Sequence, residues 1–141
     1  MIVARGDFFA DAVFWIALVS PTDQNHARAR SWSQAISGRI MTTDAVLIET
    51  ANALAIPAWR MRVIPFINHV RARRDVEVVH VDQELWNRSW EYFCSRIDKG
   101  WGFTDCISFV VMEDVGCIDA LTADTHFVQA GKRALLLEDP G

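Results

Sequence analysis

The sequence predicts an α/β fold in which a parallel sheet is covered by helices on both faces, as one domain over residues 1–141. Short runs rich in Val, Ile and Phe alternate with longer runs of helical periodicity along the whole chain, and that alternation builds parallel sheets. A hydrophobic fraction of 51%, with six Trp and eight Phe, supplies a core large enough to stand without staples. Acidic residues fall where strand-like runs give way to helix-like ones: Asp11, Asp105 and Asp124. In a parallel α/β sheet those are the ends at which ligands bind.

Residues 6–10 form the first predicted strand and 11–19 the first helix. The stretch Ser20-Pro21-Thr22-Asp23 punctuates the chain, and a helix follows over 24–36 with Asp23 in its first turn. A short strand is expected at 39–42, then a helix over 44–56 ended by Pro57. Another helix covers 59–74, kinked or restarted near Pro65. Residues 76–81 are Val-rich and strand-like. Over 82–97, Trp86, Trp90, Phe93 and Ile97 recur at helical spacing. Residues 104–115 are apolar nearly all round, the pattern of a buried central helix. A strand at 118–122, a short helix at 125–130 and a strand at 134–137 complete the order.

Composition excludes several classes. Cys94, Cys106 and Cys117 include no C-x-x-C pair, which argues against a disulfide framework or zinc site and fits a reducing, cytoplasmic setting. Asp7 and Asp11 interrupt what a signal peptide would need as its apolar region. No apolar run reaches the roughly 18 residues of a membrane span, so no membrane role is expected. The net charge of −4 provides no global attraction for nucleic acid. The basic residues are 12 Arg against 2 Lys, which suits bidentate phosphate contacts and equally a GC-rich coding bias.

The candidate site is acidic. Asp11, Glu49, Asp105 and Asp124 are hard oxygen donors, suited to Mg²⁺ or Mn²⁺ and so to metal-dependent phosphodiester chemistry. Each also has a structural explanation. Asp11 and Asp124 can cap helices, and Asp105 can stand at the first helical position behind an N-cap Thr104. Glu49 points away from an apolar stripe of Leu47, Ile48, Ala51, Leu54 and Ala55, which is where a solvated Glu sits. If the fold gathers these acids, metal binding is the simplest reason. Two carboxylates about 5 Å apart repel by roughly 3 kcal/mol at an effective dielectric of 20.

Four blocks carry a family resemblance. They are Asp11-Ala12; Thr42-Thr43-Asp44-Ala45-Val46-Leu47-Ile48-Glu49 with Asn52-Ala53-Leu54; Asp98 through Phe109, centred on Thr104-Asp105; and Ala120-Leu121-Thr122-Ala123-Asp124-Thr125-His126-Phe127 with Ala130-Gly131. In order and spacing they resemble PIN domains over essentially the whole chain. The resemblance implies a three-layer α/β/α fold with a central parallel sheet. It also implies a Mg²⁺- or Mn²⁺-dependent endoribonuclease, the VapC-like toxin of a toxin–antitoxin module. Its implied partners are an RNA substrate, a cognate antitoxin and a second copy in a homodimer. Asp11, Glu49, Asp105 and Asp124 become the metal-binding, catalytic acids, with water attacking phosphorus under metal activation. Asp98 would be an outer acid or simply a turn residue, and Thr104 a polar neighbour of the site. Two positions depart from the family pattern: Val13, where a small polar residue is frequent, and Gly100 with Gly102 in the loop before Thr104.

Other residues carry weaker signals. His126 invites a catalytic role, against that of a hydrogen-bonded structural histidine. Arg71, Arg73 and Arg74 can touch phosphate, face solvent or meet an acidic partner. Trp59, Met61 and Phe66 fit a partner or dimer surface, with core packing the competing role for Phe66. A phosphatase of the haloacid dehalogenase type requires a second Asp where Val13 stands, and that reading fails. A structure-specific DNA nuclease usually carries more acids and more basic surface. The different-class alternative is a catalytically silent PIN-fold module that binds RNA or a partner. Retention of all four mutually repelling acids argues against it.

Overall fold

The computed structural model describes residues 4–141. Strands β1 (Ala4–Ala10), β2 (Ile36–Thr43), β3 (Val76–Val79), β4 (Asp119–Leu121) and β5 (Arg133–Ala134) form a sheet ordered β3-β2-β1-β4-β5, parallel at every pairing. The helices are α1 (Ala12–Val19), α2 (His26–Ala35), α3 (Asp44–Ala53), α4 (Pro57–Ala72), α5 (Gln83–Ser95), α6 (Phe103–Val115) and α7 (Thr125–Gln129). Parallel crossovers are right-handed. The first two, through α1–α2 and α3–α4, step toward one edge of the sheet. The next two, through α5–α6 and α7, step toward the other. Handedness therefore sets α1–α4 on one face and α5–α7 on the opposite face, in agreement with the contacts among α1, α2, α3 and α4 and those of α6 with α5 and α7. This is the expected three-layer α/β/α architecture.

The direction of winding reverses between β1 and β4, whose pairing brings Ala10 opposite Leu121. A crevice opens at such a reversal beyond the strand C-termini. Asp11 follows β1 there, and Asp124 lies three residues beyond the end of β4.

The core explains the pattern of the strands and of α6. Phe8, Phe9 and Ala10 on β1 are all buried, as a central strand covered on both faces requires. Seven consecutive residues of α6, from Cys106 to Met112, are buried. Phe109 stands edge-on to Phe127 at 4.9 Å and to Trp101 at 5.1 Å. At the end of α6 the chain turns at Gly116, whose φ of 69° is left-handed, and the Cys117 amide donates to the Met112 carbonyl at 2.8 Å. A side chain at that φ would be strained.

Element boundaries differ from expectation in identifiable ways. Strand β2 begins at Ile36 because β1 offers parallel partners from Ala4 onward, pulling Ser37 and Gly38 into the ladder. Helix α2 starts at His26, leaving Asp23 outside it, where its carboxylate accepts from the Asn25 amide at 2.8 Å. Pro57 does not end α3, which stops at Ala53; it is the first residue of α4, where a missing N–H does no harm. Helix α4 runs through Pro65 without restarting. Residues 135–137 form a 3₁₀ turn with Leu135 and Leu136 buried, and not the expected strand.

Candidate active site

Asp11 occupies the N-cap position of α1, yet its side chain makes no capping bond. Its Oδ2 instead accepts from the Thr122 hydroxyl at 2.8 Å, and its backbone amide donates to the Leu121 carbonyl at 3.3 Å. The residue is 3% exposed. Burial pushes its carboxyl up to about 7, with the charges of Asp105 and Glu49 adding to the rise and the Thr122 hydrogen bond opposing it. The capping role that the sequence allowed for Asp11 is thus not the one it plays.

Buried hydroxyls fix this end of the sheet. Thr42 donates to the Ala10 carbonyl at 2.9 Å and accepts from the Trp15 indole at 3.3 Å, so β1, β2 and α1 are tied directly beside Asp11. Thr43 caps α3 by accepting from the Val46 amide at 3.1 Å. That cap sets the rotation of α3. Val46, Leu47, Thr50 and Leu54 are buried, whereas Ile48 is 61% exposed. The inward stripe is therefore rotated from the one containing Ile48 and Ala51, and Glu49 lies on the shoulder of the helix toward α6. Partial burial and the charges of Asp105 and Asp124 raise its pKa, with the Thr104 hydroxyl acting in the opposite direction.

Asp105 stands at the third position of α6, because Gly102 is the N-cap and Thr104 lies inside the first turn. The expected cap at Thr104 is corrected accordingly. The Gly102 amide donates to Asp105 Oδ2 at 3.2 Å, and the same oxygen lies 3.2 Å from His126 Nδ1. Burial and Asp124 raise the Asp105 carboxyl, while His126 and the Gly102 amide favour its charge. Asp124 does cap α7, accepting from the His126 amide at 2.8 Å; its Oδ1 is 3.5 Å from His126 Nδ1.

The four predicted acids are thus drawn from the starts of α1 and α7 and from α3 and α6 into one neighbourhood, in which the carboxyls of Asp11, Glu49 and Asp105 are each raised by the charge of a neighbouring acid. Among the described residues, ligand atoms of Asp105, Asp124 and His126 lie within 4.8 Å of one another. Asp11 and Glu49 stand outside that tight trio and interact with it through charge. The donor set is mainly carboxylate oxygen with one imidazole, and it fits a hard divalent cation.

Two residues matter more than the sequence suggested. Thr122 donates to Asp11 and accepts from the Asp124 amide at 3.1 Å, joining the first and last acids. Its place two residues before Asp124 is a short side-chain-to-backbone motif that could have been read from sequence. His126 stands between two carboxylates, a position that no local pattern reveals. Asp98 is exposed and lies 3.5 Å from Lys99. Arg73 is bonded to Asp75, Met61 is 80% exposed, and Phe66 packs edge-on against Trp15 at 5.9 Å.

Comparison with known proteins places these features in context. The family model described as "PIN domain" matches residues 8–133. The chain is similar to the 23S rRNA-specific endonuclease VapC20 of Mycobacterium tuberculosis, from strains CDC 1551 and H37Rv. Identity is 29% over 123 residues, covering 87% of this chain and 93% of the relative. It is also similar to the crystal structure of M. tuberculosis VapC20, described as a sarcin–ricin loop cleaving toxin. There the TM-score is 0.83 at 28% identity, over 89% of this chain and 96% of the other.

Proposed function

The chain belongs to the PIN domain family and is a ribonuclease of the VapC toxin kind, and we propose that it cleaves RNA with Asp11, Glu49, Asp105 and Asp124 as its metal-holding acids. The observation that carries the residue assignment is Asp11. A carboxylate 3% exposed, without a capping bond and repelled by Asp105 and Glu49, is unstable as an anion unless a cation shares the crevice.

PIN nucleases use a divalent metal, and Mg²⁺ or Mn²⁺ fits the oxygen-rich donors here. Such an ion supplies Lewis acidity, making a water nucleophilic near neutral pH and stabilising charge on the leaving oxygen. The protein's own groups prepare that chemistry. Thr122 holds the Oδ2 oxygen of Asp11 in place. The Gly102 amide and His126 hold Asp105 Oδ2 in one orientation, and the helix cap does the same for Asp124. Outer contacts of this kind sustain metal affinity in metalloenzymes. The Thr104 hydroxyl favours the charged form of Glu49.

A VapC-like toxin acts on RNA and meets an antitoxin. Ile48, Ile56, Met61 and Ile64, on α3, α4 and their junction, are exposed apolar side chains of the kind that meet protein partners, including a second copy in a homodimer. Among the described residues no helix is long and apolar enough to cross a membrane. The first RNA to assay is a hairpin with the sarcin–ricin loop that the VapC20 relative cleaves. Scission in Mn²⁺ that disappears in Asp11→Asn supports the assignment. Equal scission by a folded Asp11→Asn protein would remove Asp11 from the site.

A further inference from the structure

Charge is segregated along this chain. The segments 24–43 and 50–74 contain no Asp or Glu, yet they hold eight of the fourteen Lys and Arg residues. They include the whole of α2 and α4, which both pack on α1 on the same face of the sheet. Between those two helices runs a groove of about 490 Å³. Each helix turns one stripe into it, positions 26, 30, 33 and 34 of α2 and positions 62, 66, 69 and 73 of α4, both at helical spacing. No carboxylate lines the groove. Arg73 is committed to Asp75, at 2.7 and 3.0 Å. Arg30 and Arg62 are exposed, and among the described residues no acid lies within ion-pairing distance of either. The Arg62 guanidinium lies 5.5 Å from the centre of the Trp59 ring, a contact that orders the side chain without cancelling its charge. Resting on the ribonuclease reading above, we propose that this groove is a phosphate-binding subsite for the RNA substrate, holding its backbone away from the cut through Arg30 and Arg62.

Local charge, not net charge, decides where a polyanion docks. The net charge of −4 comes from eighteen acids that all lie outside these two segments. Phosphate is therefore repelled over much of the chain and attracted here. A guanidinium fork matches the spacing of phosphate oxygens, and Ser33 and Gln34 offer uncharged donors beside it. Position selects the chain's own substrate as the occupant. Helix α1 links the two sites, since Asp11 immediately precedes it and Leu18, in its last turn, lines the groove. Its eight residues, at 1.5 Å each, span roughly 12 Å, which a few nucleotides of one RNA can cover. The acids at the other end of α1 repel phosphate until a cation joins them, so metal-free affinity for RNA has to come from cationic side chains elsewhere.

The test uses the purified chain and a fluorescently labelled RNA hairpin, with binding read by anisotropy in EDTA over a range of KCl concentrations. Arg30→Gln and Arg62→Gln each remove one cation from the groove, and Arg62→Lys keeps the charge. Arg88→Gln removes an equal charge from α5 on the opposite face, where Arg88 is paired with Asp114. Each groove Gln variant should weaken binding severalfold and reduce the slope of log affinity against log salt by roughly 0.7–0.9, the effect of one lost phosphate contact. Arg62→Lys and Arg88→Gln should keep the native slope. Cleavage of the hairpin in Mn²⁺ should show a raised KM for the groove variants rather than a lowered kcat. Salt-independent binding by the native chain, a native slope in both folded groove variants, or an equal loss in Arg88→Gln would overturn the subsite. So would binding of a polyglutamate peptide that the groove variants abolish while RNA affinity stays native, which would make the groove a contact for an acidic protein. Salt-dependent binding through the groove without metal-dependent cleavage would support the subsite and count against the nuclease. Metal-dependent cleavage with unchanged slopes in the groove variants would do the reverse, so the two readings fail separately.

Discussion

Replacing Asp11 by asparagine should stabilise the metal-free protein above neutral pH while abolishing its activity. The displacement of the Asp11 carboxyl from its ordinary 3.8 to about 7 corresponds to roughly 4 kcal/mol at 1.36 kcal/mol per pH unit. Because the folded-state value lies above the unfolded one, the folded state holds the extra proton between those limits. Stability from this group is complete below pH 3.8 and is lost as pH rises toward about 7. Above that, the native anion carries the full penalty, which the neutral amide avoids. The amide weakens the hydrogen bond from Thr122, a loss of about 1 kcal/mol. The net gain is roughly 2–3 kcal/mol, or about 6–10 °C in Tm for a chain of this size. Thermal melts in EDTA near pH 8 and near pH 4.5 read it directly. The gap should be large at the higher pH and near zero at the lower. Saturating Mn²⁺ should then raise the Tm of the native chain and leave the variant nearly unmoved. A variant less stable than the native chain at pH 8, or a gap equal at both pH values, would refute the reasoning.

Thr122→Val leaves the Asp124 amide unpaired and Asp11 without its donor. It should lower stability by about 1–3 kcal/mol and metal affinity by roughly 10–100-fold, measured by denaturation and Mn²⁺ titration. Phe109→Ala opens a cavity among Phe127, Trp101 and Tyr92 and should cost about 3–5 kcal/mol in urea unfolding. Gly116→Ala should cost about 1–2 kcal/mol, since the residue must keep its left-handed turn, and should leave metal binding unchanged.

The sequence revealed what periodicity and chain order encode. Alternating strands and helices identified the layered sheet, and acids following apolar runs pointed to the C-terminal ends of its strands. Local pattern failed where tertiary partners decide. Ser37 and Gly38 join β2 because β1 lies alongside them. The rotation of α3 follows from its cap at Thr43 and its packing, so Ile48 is turned outward against the apparent stripe, while Glu49 is exposed, as its place off that stripe allows. Asp11 looked like a cap residue, and only the Thr122 contact from 111 residues away separates the two roles. His126 was visible beside Asp124, but its approach to Asp105 depends on how α6 and α7 meet.

The most direct test of the central claim is cleavage of a mixed structured RNA pool by the purified, antitoxin-free chain, in Mn²⁺ and in EDTA, beside Asp105→Asn. Cutting should occur in Mn²⁺ only and fall by at least roughly a hundredfold in the variant, the scale expected when electrostatic stabilisation is removed from a transition state. Cutting that survives EDTA, or a folded Asp105→Asn protein with native activity, would contradict it.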